Sequence, residues 1–232
     1  MLKYNLVNYR QLLKKIITYN YSFIKYPTST SDILNKSRQI ILRHDIDFSL
    51  DAALKIAIED HNIGIQSTFF IYLNTPFYNI FFENDSKKIN KIRMLGHDIA
   101  LHLDQRSKFH FEKDLCILKN KFPDIRLDII SLHKPIFNKK KIILSKKVNI
   151  TTTYDDQFFN DIEYISDSRC NFNYNKLDNI LSSSNNLQLL LHPLWWFYKG
   201  DSIEEKLFLM YKNRTKEMIN KIHKDISINF NL

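Results

Sequence analysis

QIILRHDID (residues 39–47) sets the reading of the whole chain, because three later runs have the same form: GHDIALHLD (96–104), DIISLHKP (128–135) and LQLLLHP (187–193). Each is a short run of branched or long apolar residues that meets histidine or aspartate at its end. Continuous apolar runs of this length suit strands buried on both faces. Parallel strands that deliver ionisable side chains at their ends are how α/β barrels build an active site at one rim.

Side chains alternate faces along a strand, so Asp45 and Asp47 share one face, as do His102 and Asp104. Two such pairs can surround one cation. An imidazole with one or two carboxylates suits Zn²⁺ first, with Mn, Fe, Co and Ni as alternatives. A carboxylate outside the coordination sphere can take a proton from water, and a histidine on another strand can protonate a leaving group. A lone histidine near a strand end is more often a structural hydrogen-bonding residue. A buried carboxylate left unpaired is costly enough to imply a partner or a metal. His61, His110 and His223 fall in helical or loop contexts and read as surface residues.

Helical patterns separate the runs. Leu12, Leu13, Ile16 and Ile17 space a helix over 8–19, which Pro27–Ser31 breaks. Ser49 and Asp51 start a helix that runs to about Asp60. An aromatic strand is expected at 67–73 and a helix over 85–95 that ends at Gly96. Further helices are expected at 109–121, around 139–146 and over 202–224, with another strand at 148–154. Residues 155–186 read as irregular, and either 74–90 or 155–175 is expected to shape a substrate groove. The alternation predicts a mainly parallel sheet or barrel.

At 232 residues and 44% apolar, the chain suits one buried core, hence a single domain over 1–232. The net charge of +9 comes from scattered lysines, densest at Lys139–Lys141 with Lys146 and Lys147, which read as a solvated face. Three glycines in the whole chain leave no room for a Gly-rich phosphate cradle, so no nucleic-acid partner is expected. Cys116 and Cys170 have neither a pairing motif nor metal-ligand spacing, which fits a reducing compartment and a cytoplasmic location. No window approaches the ~18 apolar residues of a transmembrane helix. The basic surface leaves weak peripheral contact with a membrane open.

In order along the chain, Asp-x-Asp after a first strand, Gly-His-acidic-Ile-small-x-His after a third, x-basic-Pro after a fourth and Leu-Leu-His on the last resemble the NodB-like polysaccharide deacetylases. These belong to carbohydrate esterase family 4, and the resemblance is to variants from bacterial surface-polysaccharide gene clusters. It covers about residues 38–196. It implies a distorted (β/α)7 barrel and a divalent metal. The implied reaction is hydrolysis of an N-acyl group from a sugar, free or in a nucleotide- or lipid-linked saccharide.

Carried onto this sequence, the resemblance makes Asp45 the general base, Asp47 and His102 metal ligands, His97 a structural residue and His192 the general acid. Lys134 stands in for the arginine that orients the catalytic aspartate. Arg43, Trp195 and Trp196 are expected against substrate, although core packing accounts equally well for at least one tryptophan. The chain departs from the family in two places. Ile46 separates two aspartates that are normally adjacent, and Arg106 occupies the position four residues after His102 where a second metal histidine belongs. Asp104 is the favoured replacement, since it shares a strand face with His102, and His133 is the second choice. The alternative reading is a degenerate barrel that binds carbohydrate without hydrolysis.

Overall fold

The computed structural model describes residues 3–27, 36–104, 111–135 and 150–230. Helix α1 (Leu6–Thr18) and the short strand β1 (Ser22–Ile24) lead into β2 (Gln39–Ile46), α2 (Leu50–Asn62), β3 (Thr68–Tyr72), α3 (Glu83–Met94) and β4 (Asp98–Asp104). Then follow α4 (Phe111–Lys121), β5 (Ile129–His133), β6 (Thr151–Thr152), α5 (Asp156–Phe159) and β7 (Glu163–Ser166). The chain ends with α6 (Tyr174–Ser183), β8 (Leu187–Leu191), α7 (Pro193–Phe197) and α8 (Ile203–Phe230). All strand pairs are parallel, in the order β6-β5-β4-β3-β2-β8-β7, with β1 added beside β2. The seven strands on that path form the expected distorted (β/α)7 barrel, open between β6 and β7 among the described residues.

Alternation assigns the faces. All eight residues of β2 are buried, as a strand covered on both sides requires. Its Ile40, Leu42 and Ile46 join the large core under the helices, while Ile41 joins a smaller cluster inside the curl with Phe70, Ala100 and Ile129. Arg43 and Asp45 follow Ile41 on that inner face by period two. The same rule puts His102 and Asp104 above Ala100, and Ser131 and His133 above Ile129. The register sets Asp45 beside Phe70 and Ala100, Tyr72 beside His102 and Ser131, and Asp104 beside His133. The inner face is thus apolar at the bottom and ionisable at the top.

Local signals place the helices. The Ser49 side chain accepts from the Ala52 N–H and caps α2. Gly96, at φ +92°, closes α3 in a backbone conformation that a side chain disfavours. On the outer face, His44 packs against Phe69 and places its two ring nitrogens on Leu191 O and Asp60. Asp60 also accepts from Tyr9 and Ser67, and His97 bonds Ser67 and the Ala57 carbonyl. This buried network joins α1, α2, β2 and β8 to the residues that lead into β3 and β4.

Glu59 ties α2 to α1 by accepting from Arg10 Nε at 2.5 Å and Nη2 at 2.8 Å, with Lys55 at 2.8 Å. The bond to Arg10 pulls the Glu59 carboxyl down to about 2. A depressed carboxyl stabilises the fold above its unfolded value and loses that contribution as pH falls through the folded one. Because Arg10 is open to solvent, Glu59→Gln is expected to cost about 1 kcal/mol at pH 7. The deficit should shrink between pH 4.5 and 2 in urea midpoints measured beside the parent protein; a deficit independent of pH would exclude the ion pair as its source.

Some elements differ from expectation. Strand β1, strand β7 and helix α6 arise where no regular structure was expected, and α8 runs on to Phe230. Of the strand expected at 148–154, only Thr151–Thr152 pairs. The helix expected at 139–146, the lysine cluster at 139–147, Arg106 and His110 lie outside the described residues. Both cysteines are free thiols.

Candidate metal centre and hydrolytic site

Asp47, just beyond β2, meets His102 from β4 and His133 from β5. Asp47 Oδ1 lies 3.1 Å from His102 Nε2 and 3.3 Å from His133 Nδ1, and the two nitrogens are 3.2 Å apart. Four donors placed tetrahedrally at 2.0–2.1 Å around Zn²⁺ stand about 3.3 Å from one another, so this triangle has the right edge length. Asp47 Oδ1 is buried and receives no aligned hydrogen bond. An orphaned carboxylate oxygen facing two imidazole nitrogens is what a cation would satisfy. Burial by itself would raise the Asp47 carboxyl, but the facing imidazoles hold it well below the usual carboxylate range. The residues fit a divalent metal.

Asp104 stands outside that triad. It accepts from the Tyr72 hydroxyl at 3.1 Å, and the Tyr72 ring stacks on His133 with centroids 4.6 Å apart. Tyr72 thus orients His133 and occupies Asp104. The face shared by His102 and Asp104 is as expected; the third donor converging on Asp47 is nevertheless His133.

Asp45 sits beside the triad, its Oδ2 3.7 Å from His102 Nε2. Arg43, two residues earlier on the same face, grips it with Nε on Oδ1 at 2.9 Å and Nη2 on Oδ2 at 2.7 Å. Burial pushes the Asp45 carboxyl up, and the guanidinium, together with His102 and His192, more than reverses this, leaving it below its ordinary value. Arg43 is fully buried, stacked 5.0 Å from the Tyr154 ring centroid and 5.5 Å from that of Phe70, with further bonds to Ser131, Tyr154 and Gln188. Its expected place against substrate is therefore corrected: no donor face is left open. It also occupies the position expected of Lys134, whose side chain is exposed to solvent.

His192 begins α7 at the end of β8, with Nε2 3.8 Å from Asp47 Oδ2. Its Nδ1 meets Asp167 Oδ1 at 2.6 Å, and the His192 backbone N–H donates to the same carboxylate at 3.0 Å. Burial opposes charge on the ring, yet Asp167, with Asp47 and Asp45 behind it, outweighs burial and holds His192 up at about 9. An imidazolium at neutral pH is a proton donor. Asp167 lies in the stretch read as irregular and carries no spacing signal. Asp167→Asn is expected to bring the His192 titration down from about 9 toward 6.5, as read from its imidazole NMR shifts; an unmoved midpoint would assign the rise to other groups.

Trp196 is fully buried and donates Nε1–H to Asp167 Oδ2 at 2.7 Å, and Trp195 is 5% exposed. Neither offers an open sugar platform, which corrects that expectation: both pack in the core, where burying a large aromatic ring is favourable. A cavity of about 580 Å³ lies beyond Phe48 and is walled by Thr75, Phe77 and Phe82 from the 74–90 stretch and by Tyr211 and Met218 of α8. It touches the triad through the backbone, where Thr75 Oγ1 donates to Asp47 O at 2.9 Å.

No protein-family model matches the sequence, and no curated protein matches it. Several solved structures are similar in fold. The chitin deacetylase of the fungal pathogen Colletotrichum lindemuthianum shares 14% identity over 83% of this chain and 86% of its own, with a TM-score of 0.47. A peptidoglycan N-acetylglucosamine deacetylase solved with a hydroxamate-type benzamide shares 13% over 88% and 91%, with a TM-score of 0.45. A peptidoglycan deacetylase of Bdellovibrio bacteriovorus shares 11% over 86% of this chain with a TM-score of 0.44, and this chain spans only 54% of that protein. Among the described residues no helix is long and apolar enough to cross a membrane.

Proposed function

We propose that this protein is a metal-dependent deacetylase that hydrolyses an N-acyl group from a sugar of a surface polysaccharide or its nucleotide- or lipid-linked precursor. The observation that carries the proposal is the triangle of Asp47 Oδ1, His102 Nε2 and His133 Nδ1, flanked by an ionised carboxylate and by a histidine held protonated. Peptidoglycan and chitin deacetylases of similar fold support an acylated sugar as substrate in general.

Asp47, His102 and His133 would hold the ion, with His133 serving in place of a ligand at Arg106. When bound, a divalent cation polarises the acyl carbonyl and acidifies water, with Zn²⁺ favoured by the donor set. Asp45 takes the proton of the attacking water as general base, and the Arg43 clamp keeps its lone pairs aimed at the centre. His192, charged by Asp167, delivers a proton to the departing amine, a role for which a value near 9 leaves it loaded at neutral pH. Burial of Asp45 and His102 excludes competing solvent and strengthens these interactions.

The test is elemental analysis of the purified protein, followed by stripping, reloading with Zn²⁺ and assay of acetate release from N-acetylated saccharides. One ion per chain with metal-dependent release is expected. Failure to bind on reloading would favour the non-catalytic barrel.

A further inference from the structure

The hydroxyl of Ser131 lies at the junction of base and metal centre, and its proton can be placed by elimination. Ser131 is fully buried on the inner face of β5 and has three partners: Arg43 Nη2 at 2.9 Å, Asp45 Oδ1 at 3.1 Å and His102 Nδ1 at 2.5 Å. A hydroxyl has one proton and two lone pairs. Arg43 can only donate, so it takes one lone pair. Asp45, ion-paired through both oxygens with that guanidinium, can only accept, so it takes the proton. The remaining lone pair must meet an N–H, which puts a proton on His102 Nδ1 and leaves Nε2, 3.1 Å from Asp47 Oδ1, as the nitrogen a cation would take in place of any proton shared with that carboxylate.

We propose that Ser131 is a positioning residue for the metal centre, fixing His102 in the tautomer that aims an Nε2 lone pair at the point facing Asp47 and His133. The same bond selects the working oxygen of Asp45. Oδ1 already accepts from Arg43 Nε and Ser131, while among the described residues Oδ2 accepts only from Arg43 Nη2 and faces the centre. Oδ2 is therefore the atom that receives the proton. The inference rests on the metal-hydrolase reading above.

Two measurements on the full-length protein test it. In the wild type, nitrogen-15 correlation spectra of His102 are expected to show a proton on Nδ1 with and without Zn²⁺; a bare Nδ1 in the metal-free protein would overturn the assignment without any substitution. Calorimetric titration with Zn²⁺ then compares Ser131→Ala and Ser131→Thr with the parent. The alanine variant is expected to mix the two tautomers and to bind Zn²⁺ about 10–100-fold more weakly, the usual effect of losing an outer-shell partner. The threonine variant keeps the hydroxyl and should restore both the tautomer and most of the affinity. Loss of His102 order in both variants alike would mark a packing role and overturn the proposal. Asp47→Ala separates the two readings. If it binds Zn²⁺ like the parent, the metal centre itself is refuted. If it loses Zn²⁺ while Ser131→Ala keeps parental affinity and tautomer, only the role of Ser131 falls.

Discussion

Arg43→Met is expected to lower the free energy of unfolding by about 3–5 kcal/mol, because it leaves the Asp45 carboxylate buried without its counter-ion. Methionine approximates the side-chain volume, so the loss is electrostatic rather than a cavity. Activity should fall through kcat, with KM little changed, since the guanidinium has no face open to substrate. The pH dependence has a definite sign. With the guanidinium gone, only His102 and His192 are left to oppose burial and Asp45 rises, so a larger share of it is protonated and the acid limb of the rate profile moves upward. Raising the pH should recover part of the lost rate. Lys134→Met, at an exposed position, should leave kcat within a few-fold of the parent. A fall in kcat for Lys134→Met, with only a higher KM for Arg43→Met, would restore the sequence-based assignment of both residues.

His133→Ala should release the metal, and Asp104→Asn should retain it. Removing His133 deletes one of three donors and the stacking partner of Tyr72, so the loss of Zn²⁺ affinity should exceed the ~10–100-fold cost of an outer-shell change. Asp104 acts through Tyr72, and its amide can still accept that hydroxyl, so the affinity should stay within about tenfold. Calorimetry on both variants decides the matter, and the reverse order would make Asp104 the ligand and the triangle of donors incidental.

Much of this architecture was legible in four short runs of sequence. Period-two alternation put Asp45 with Asp47 and His102 with Asp104 on shared faces, because a buried strand leaves no freedom in which side a residue takes. Alternation does not say how far each strand is shifted along its neighbour. That stagger decides that His133 rather than Asp104 meets Asp47. It is set by tertiary packing that no local window contains. Strand β7 was missed for another reason: in Glu163–Ser166 only Ile165 is fully buried, so its apolar signal is weak. Asp167 just beyond it was missed with it, since its meaning comes from His192, distant in sequence and adjacent only after β7 pairs with β8. The tryptophans show the limit of composition, because an aromatic beside a catalytic candidate serves the core as readily as a ligand.

The three donors of the candidate metal centre come from the ends of three different parallel strands, and this ties the centre to the making of the fold. An unfolded chain holds no ready chelate, because Asp47, His102 and His133 meet only after β2, β3, β4 and β5 have paired across long loops, the slow kind of contact to form. A cation would therefore enter late and favour only the finished molecule. At a hundredfold excess over its dissociation constant it would add about 2.7 kcal/mol to stability, so melting temperature would track metal supply and chelators would shorten the protein's lifetime in the cell.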